Sequence, residues 1–171
     1  MGGVNGAEAL KALYALQEKD LEIDRLRAEA ESLPEELVAL QGQVETLEER
    51  LTNLLERRAE LEREYNRHSL DIEDLSAKEK QAEEEQKRAQ SAREQTQYEN
   101  RIQQIKDRIR ELLELSTPIM EAMENLEAEI AQVEEELAAL RPRLQELLEA
   151  NRARVAELEA AIAANKRDFE A

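Results

Sequence analysis

The first informative feature of this 171-residue sequence is what it lacks. It has no cysteine or tryptophan, one phenylalanine and three tyrosines, and three of its four glycines lie within the first six residues. Without cysteine, neither disulfides nor thiolate metal sites can form within these residues. With 2% aromatic residues, the chain has too few large side chains for the two-layer core of a globular domain.

Signals for membrane insertion and secretion are also missing. No apolar run approaches the roughly 20 residues needed to span a bilayer. The opening MGGVNG lacks the basic and apolar segments of a secretory signal, and Gly6 stands where a myristoylation motif requires serine or threonine. We therefore expect a soluble, cytoplasmic protein without a membrane partner.

What the sequence does contain is charge and periodicity. Charged residues make up 38% of the chain, with 41 acids against 24 bases and a net charge of -17. Alanine, glutamate, leucine, arginine and glutamine dominate, which is typical of long helices and coiled coils. The apolar residues recur periodically, which argues against disorder. The acidic excess argues against binding of phosphate backbones by the body of the chain.

Two helices are predicted before the middle of the chain. Residues 1–7 are predicted to be flexible, and residues 8–31 have helical spacing of apolar side chains. In SLPEEL, Ser32 and Glu35 form a capping-box pattern, and Pro34 is tolerated in a first turn, so a second helix over 33–87 is expected. Its apolar residues follow a heptad seam without a slip: Leu37, Leu40, Val44, Leu47, Leu51, Leu54, Arg58, Leu61, Tyr65, His68, Ile72 and Leu75.

The stripe then fades and resumes. Between Ser76 and Gln97 the largest apolar side chain is alanine. A third helix over 92–171 is predicted, with breaks near 118 and 142, where Pro118 and Pro142 stand. At 118 the helix either restarts with Thr117 as its cap and Pro118 at its first position, or merely kinks. The phase of its stripe slips near Leu147, a stutter. The stripe before the slip comprises Tyr98, Ile102, Ile105, Ile109, Leu112, Ser116, Ile119, Met123, Leu126, Ile130, Val133, Leu137, Leu140 and Leu144.

Two architectures compete: a continuous rod that dimerises in parallel, and an antiparallel hairpin that turns near 86–92. No glycine or proline marks a turn, which counts against the hairpin. In its favour, Ser91 and Glu94 form a second capping-box pattern, and a turn near residue 90 gives two arms of matched length. It also places Pro34 and Pro142 at nearly the same height along the two arms. A hairpin that bends must break both of its helices at one height, because a kink in only one would open the seam.

The favoured fold class is therefore all-α, a long kinked antiparallel coiled-coil hairpin forming one domain over 8–171. In this register Leu75 faces Ile105, and Leu10 faces Phe169. The first helix either extends the second beyond the Pro34 kink and pairs with residues 145–171, or folds back along the second helix.

Polar residues in the seam are interpreted as setting its register. Arg58 is expected to form an ion pair across the seam near Glu121. His68, the only histidine, lies at a seam position without the cysteine or carboxylate cluster of a metal site and without a nucleophile to activate. We expect neither an enzyme nor a cofactor within these residues.

The region around the predicted turn departs from the acidic pattern. Residues 76–110 hold nine bases and seven acids, a net charge of +2 against -17 for the whole chain. Lys87, Arg88 and Arg93 lie within 86–93, a stretch without any acid. They are either a solvated tip or a contact point for RNA or an acidic partner. Few aromatic residues are available to stack on bases, so sequence-specific reading of single strands is not expected.

Several segments resemble one protein family. ALQEKDLEIDRL (15–26) followed by LPEEL, SAREQTQYENRIQQIKDRI (91–109) and IMEAME (119–124) are similar to segments of bacterial coiled-coil proteins that end in a four-cysteine zinc ribbon. The resemblance covers most of the chain. It implies an elongated, kinked antiparallel hairpin, a C-terminal zinc ribbon and a nucleic-acid-binding or chaperone-like adaptor role, in some bacteria linked to flagellar or type III secretion assembly.

The chain departs from that family at the ribbon itself. It has no cysteine, so zinc is expected only if the full protein carries a C-terminal ribbon, and RNA binding through a ribbon depends on the same condition. The sequence thus predicts a non-catalytic adaptor or scaffold, a monomer or weak homodimer, that presents its ends to protein partners or RNA. The alternative is a purely structural, self-associating rod or spacer.

Overall fold

The structure is a computed structural model that describes residues 2–170 and the side chains of residues 6–167. Three helices account for nearly all of these residues: α1 (Gly2–Glu31), α2 (Glu35–Lys87) and α3 (Ala92–Glu170). The chain divides into two compact units, one formed by Met1–Thr46 with Leu137–Ala171 and the other by Leu47–Glu136. In each unit α3 lies antiparallel to the segments that precede the turn. The predicted all-α helical hairpin is confirmed, and the parallel rod is wrong.

The predicted seam is confirmed along both helices. Every seam position of α2 from Leu37 to Leu75, and every stripe position of α3 from Tyr98 to Leu144, is buried or half-buried. Leu37, Leu112 and Leu137 are no more than 2% exposed. Heptad spacing succeeds here because an α-helix returns the same face to its partner at alternating steps of three and four residues.

The seam does not end where the large apolar residues end. Glu79, Ala82, Gln86 and Ala89 continue the three- and four-residue steps and are buried or half-buried, Ala82 at 2% exposure. The stripe of large apolar residues does fade after Leu75, but the buried seam continues through smaller and polar side chains. Alanine can fill a seam position where two helices approach closely, but its small side chain gives a weak signal in the sequence.

The N-terminal helix is longer than predicted. α1 begins at Gly2 rather than Glu8, so residues 2–7 of the predicted flexible segment 1–7 are helical, and Met1 lies outside the described residues. Glycine disfavours a helix, but adding residues to a helix that has already formed costs far less than nucleating one. Its predicted stripe is buried or half-buried only from Ile23 onward, whereas Leu10 and Leu13 are 68% and 52% exposed. The predicted partner of Leu10, Phe169, lies outside the described side chains.

Proline does not divide α3. The helix is continuous from Ala92 to Glu170, which corrects the breaks predicted near Pro118 and Pro142. A proline lacks the N–H that would bond to the carbonyl four residues earlier, and a long packed helix tolerates that single loss. Around Pro118, the hydroxyls of Ser116 and Thr117 donate to the carbonyls of Leu112 and Leu113 at 2.8 and 3.1 Å.

The break between α1 and α2 spans residues 32–34, and its capping differs from the prediction. The carbonyl of Pro34 accepts the first hydrogen bond of α2, from the N–H of Val38 at 3.1 Å. Ser32 instead donates its hydroxyl to the carbonyl of Glu29 at 2.9 Å. The predicted capping box of Ser32 and Glu35 is therefore wrong. Ser32 precedes the capping position by two residues and serves the end of α1.

Candidate interaction surface at the hairpin turn

The start of α3 is capped as the sequence predicts. The carbonyl of Ser91 accepts the first bond of the helix from the N–H of Gln95, and the N–H of Glu94 donates to the Ser91 hydroxyl, both at 3.1 Å. The carboxylate of Glu94 accepts from the N–H of Gln90 at 3.2 Å. In a standard capping box this carboxylate would bond to the N–H of Ser91 itself. The motif therefore fixes the residue before the cap as well.

The end of α2 tightens into the turn. The N–H groups of Arg88 and Ala89 donate to the carbonyls of Glu85 and Gln86, each at 3.1 Å and three residues back. Such short bonds satisfy carbonyls that the end of a helix would otherwise leave unpaired. Among the described residues none has positive φ, so the reversal needs no glycine. The absence of glycine from this segment is therefore no argument against a hairpin.

One side chain ties the two arms together across the turn. The amide of Gln86 donates to the backbone carbonyl of Gln95 at 3.3 Å. Gln86 is half-buried at a seam position, and with Glu83, Lys87 and Gln95 it lines a shallow surface depression. The turn is therefore held by bonds on its backbone and by one cross-arm bond.

The side chains of the basic residues in the turn take no part in this network. Lys87, Arg88 and Arg93, called the turn cluster below, are exposed. Across residues 6–167, whose side chains are described, no ion pair or side-chain hydrogen bond involves any of the three. The turn is thus built by uncharged groups and Glu94, while three cations around it face solvent.

Acidic side chains limit what the turn cluster can bind. Glu83, Glu84 and Glu94 are exposed beside it, and Glu85 is half-buried. Tyr98, the nearest aromatic residue, is half-buried in the seam. A groove that binds single-stranded nucleic acid combines cations with aromatic rings on which bases stack. This surface has the cations, but carboxylates lie among them and, in the described part of the chain, no exposed aromatic ring accompanies them.

Arg58, predicted to set the register, forms an ion pair with a different acid. Its guanidinium donates twice to one carboxylate oxygen of Glu127, at 2.8 and 3.2 Å, which corrects the predicted pairing with Glu121. A long arginine side chain can reach an acid several residues away from the position predicted to face it. The hydrogen bond and then the charge of Glu127 raise the pKa of Arg58.

His68 lies where the seam predicts it. Its side chain is 17% exposed, and its Nε2 is 4.0 Å from the carboxylate of Glu64 on the same helix. Within the described residues no three metal-binding side chains come together. His68 occupies a half-buried seam position of α2. Its role in fixing the register stays a prediction.

The first unit holds an ion pair that supports the predicted level of the prolines. Arg143, directly after Pro142, donates to the carboxylate of Glu36 at 2.8 Å. Glu36 lies two residues after Pro34, so the two proline-containing segments are adjacent, as predicted. Hydrogen bonds to Glu36 and then Glu146 raise the pKa of Arg143.

Arg154 has a structural role that no pattern in the sequence predicts. Its guanidinium donates to the carbonyls of Glu29 and Ser32 at 2.9 and 2.7 Å, and to the side-chain oxygen of Asn151 at 2.9 Å. Lys19 donates to the side chain of Asn165 at 3.4 Å. α1 therefore packs along the C-terminal part of α3, as in the extended arrangement, and does not fold back along α2. No local motif predicts an arginine that reaches carbonyls more than 120 residues away.

Comparison with known proteins adds no relative. No family model, no curated protein and no solved structure matches the chain. Within the described residues no helix is long and apolar enough to cross a membrane. With no cysteine in the chain, these residues do not provide the ligands of a four-cysteine zinc ribbon.

Proposed function

We propose that this protein is a non-catalytic coiled-coil adaptor that presents the turn cluster to an acidic protein partner in the cytoplasm. The observation that carries the proposal is that hydrogen bonds fix the backbone of the turn, whereas, across residues 6–167, the three basic side chains of the turn cluster form none. Capping bonds from Ser91 and Glu94 fix the backbone, while Lys87, Arg88 and Arg93 remain exposed. These cations form no bonds within the described residues, and the backbone that carries them is already fixed. A partner can therefore bind them with little entropic cost for ordering the backbone.

The chemistry favours a protein over RNA. The neighbouring acids Glu83, Glu84 and Glu94 would repel a continuous phosphate backbone but leave room for a partner whose carboxylates are spaced apart. A protein partner with both acidic and neutral contacts fits this mixed surface better.

The resemblance to zinc-ribbon adaptors points to the same kind of role. It adds RNA as a second candidate, through a ribbon that these residues do not contain. The remaining candidate, a self-associating structural spacer, needs no partner at the turn. These three candidates make different predictions for one experiment.

Site-specific photo-crosslinking at the turn separates them. A photoreactive amino acid replaces Gln90, which is exposed in the turn, or the exposed Gln132 of α3 as the matched control. The adaptor proposal predicts adducts from position 90 in cells that withstand ribonuclease and contain another protein. They should disappear when Lys87, Arg88 and Arg93 are changed to glutamate and persist when the exposed Arg50, Arg63 and Arg67 are changed in the same way.

The other outcomes each decide the question. Adducts sensitive to ribonuclease would replace the protein partner with RNA. Adducts containing only a second copy of this chain, or equal yields from positions 90 and 132, would favour the structural spacer and overturn the adaptor proposal.

A further inference from the structure

The N-terminal half of α1 carries apolar side chains that the described part of the chain leaves exposed. Leu10, Tyr14 and Leu21 are 68%, 65% and 68% exposed, and Leu13 is 52% exposed. Single exposed leucines are common on protein surfaces, but a row on one helix face marks a contact surface. With Gln17, three of these residues form a row at steps of four, three and four: Leu10, Tyr14, Gln17 and Leu21.

This row is distinct from the face that α1 uses within the chain. Ile23, Leu26 and Ala30 are buried or half-buried, and Ala30 adjoins Val155 of α3. At about 100° per residue, the row lies roughly on the opposite side of the helix from these three residues. α1 thus has two apolar faces, one packed against α3 and one open.

We propose that the open face of α1 pairs with the same face of a second copy of this chain. The spacing of the row is that of a coiled-coil seam. A symmetric dimer places one patch against itself, and an antiparallel pairing sets Leu10 against Leu21 of the second copy. Tyr14 then lies against Gln17 of the second copy.

Charge complementarity selects the second copy and the antiparallel direction. Lys11 and Glu18 lie on the same flank of the row, seven residues apart, and both are exposed. Antiparallel pairing puts Lys11 beside Glu18 of the second copy, and the symmetry repeats this ion pair. In a parallel pairing the positions beside Lys11 and Glu18 would be Gly6 and Leu13, which provide no opposite charge.

A charge-exchange experiment tests this geometry directly. Sedimentation equilibrium measures the dimer dissociation constant of the full chain. Lys11→Glu and Glu18→Lys should each weaken self-association by roughly tenfold, because each creates two like-charge contacts. Mixing the two variants should restore association as a heterodimer, because both contacts are then between opposite charges, one with the original sign and one with the sign exchanged. Lys80→Glu and Glu56→Lys, at exposed positions outside α1, should leave the dissociation constant unchanged.

The contribution of the leucines to the dimer is tested with two double variants, one in the row and one outside it. Leu10→Gln combined with Leu21→Gln should abolish the dimer while circular dichroism shows unchanged helix content. Leu55→Gln combined with Leu70→Gln removes leucines that are 45% and 61% exposed on α2 and should leave the dimer intact.

Because the chain contains no cysteine, single introduced cysteines report the direction. Leu10→Cys mixed with Leu21→Cys should form a disulfide between copies. Either variant alone should not, since antiparallel pairing keeps identical positions about 16 Å apart. Disulfides within the Leu10→Cys variant alone would show a parallel dimer and overturn the proposal. A monomer at all concentrations, or a dimer indifferent to the charge and leucine changes, would overturn it as well.

Discussion

Arg154 of α3 closes the end of α1 by donating to the carbonyl of Glu29 at 2.9 Å. The last carbonyls of a helix have no partner within it, and here a charged fork from the opposite arm supplies one. The same guanidinium reaches Ser32 at 2.7 Å. Its Nε is buried and has no hydrogen-bond partner in the described part of the chain. This N–H therefore loses its hydration and gains no hydrogen bond in exchange.

Replacing Arg154 should loosen the break between α1 and α2. We expect Arg154→Ala to lower the free energy of unfolding by about 2 kcal/mol, since charged hydrogen bonds to the backbone are lost together. Urea denaturation measures this, and amide exchange should speed up around residues 29–38. The neighbouring Arg152→Ala, at an exposed position, is the control. Equal effects of the two changes would refute the role assigned to Arg154.

Two serines with the same sequence motif should respond differently. Ser91→Ala removes the hydroxyl that accepts the N–H of Glu94 and should cost about 1 kcal/mol. Ser32→Ala removes only a donor to a carbonyl at the end of α1, a bond that Arg154 partly duplicates, so the loss should be smaller. Thermal denaturation of both variants gives the comparison. A larger loss at Ser32 would mean that it caps α2 after all.

The partner of Arg58 can be identified by a double-mutant cycle. Arg58→Ala and Glu127→Ala should be coupled, because they form a bond of 2.8 Å, and the coupling should weaken in high salt. Arg58→Ala and Glu121→Ala should be additive. Because the pKa of Arg58 is raised, the arginine's contribution is fully present below its unfolded pKa. It is lost only as pH rises through the folded value.

Ala82 tests how tightly the arms approach before the turn. It is 2% exposed, so Ala82→Leu should be overpacked and lower the free energy of unfolding by about 1–3 kcal/mol. Ala77→Leu, at an exposed position of the same helix, should be close to neutral. Stabilisation by leucine at position 82 would show a gap in the seam there.

The parts of the fold that follow from repeating patterns were predictable, and the parts that depend on single long-range contacts were not. Heptad spacing identified the seam because burial repeats with the helix. The same capping motif was right at Ser91 and wrong at Ser32, because Pro34 took the capping position at the second site. Neither Arg154 nor the pairing of Arg58 with Glu127 has a local signal, since each depends on how far a long side chain reaches across the arms.

The absence of left-handed residues from the turn has a consequence for evolution. Positions 88–90 impose no backbone requirement that only glycine or asparagine could meet. At the exposed positions 88 and 90, any L-amino acid other than proline, which lacks the N–H groups used there, fits without backbone strain. The exposed side chains of the turn can therefore change while the reversal of the chain is preserved.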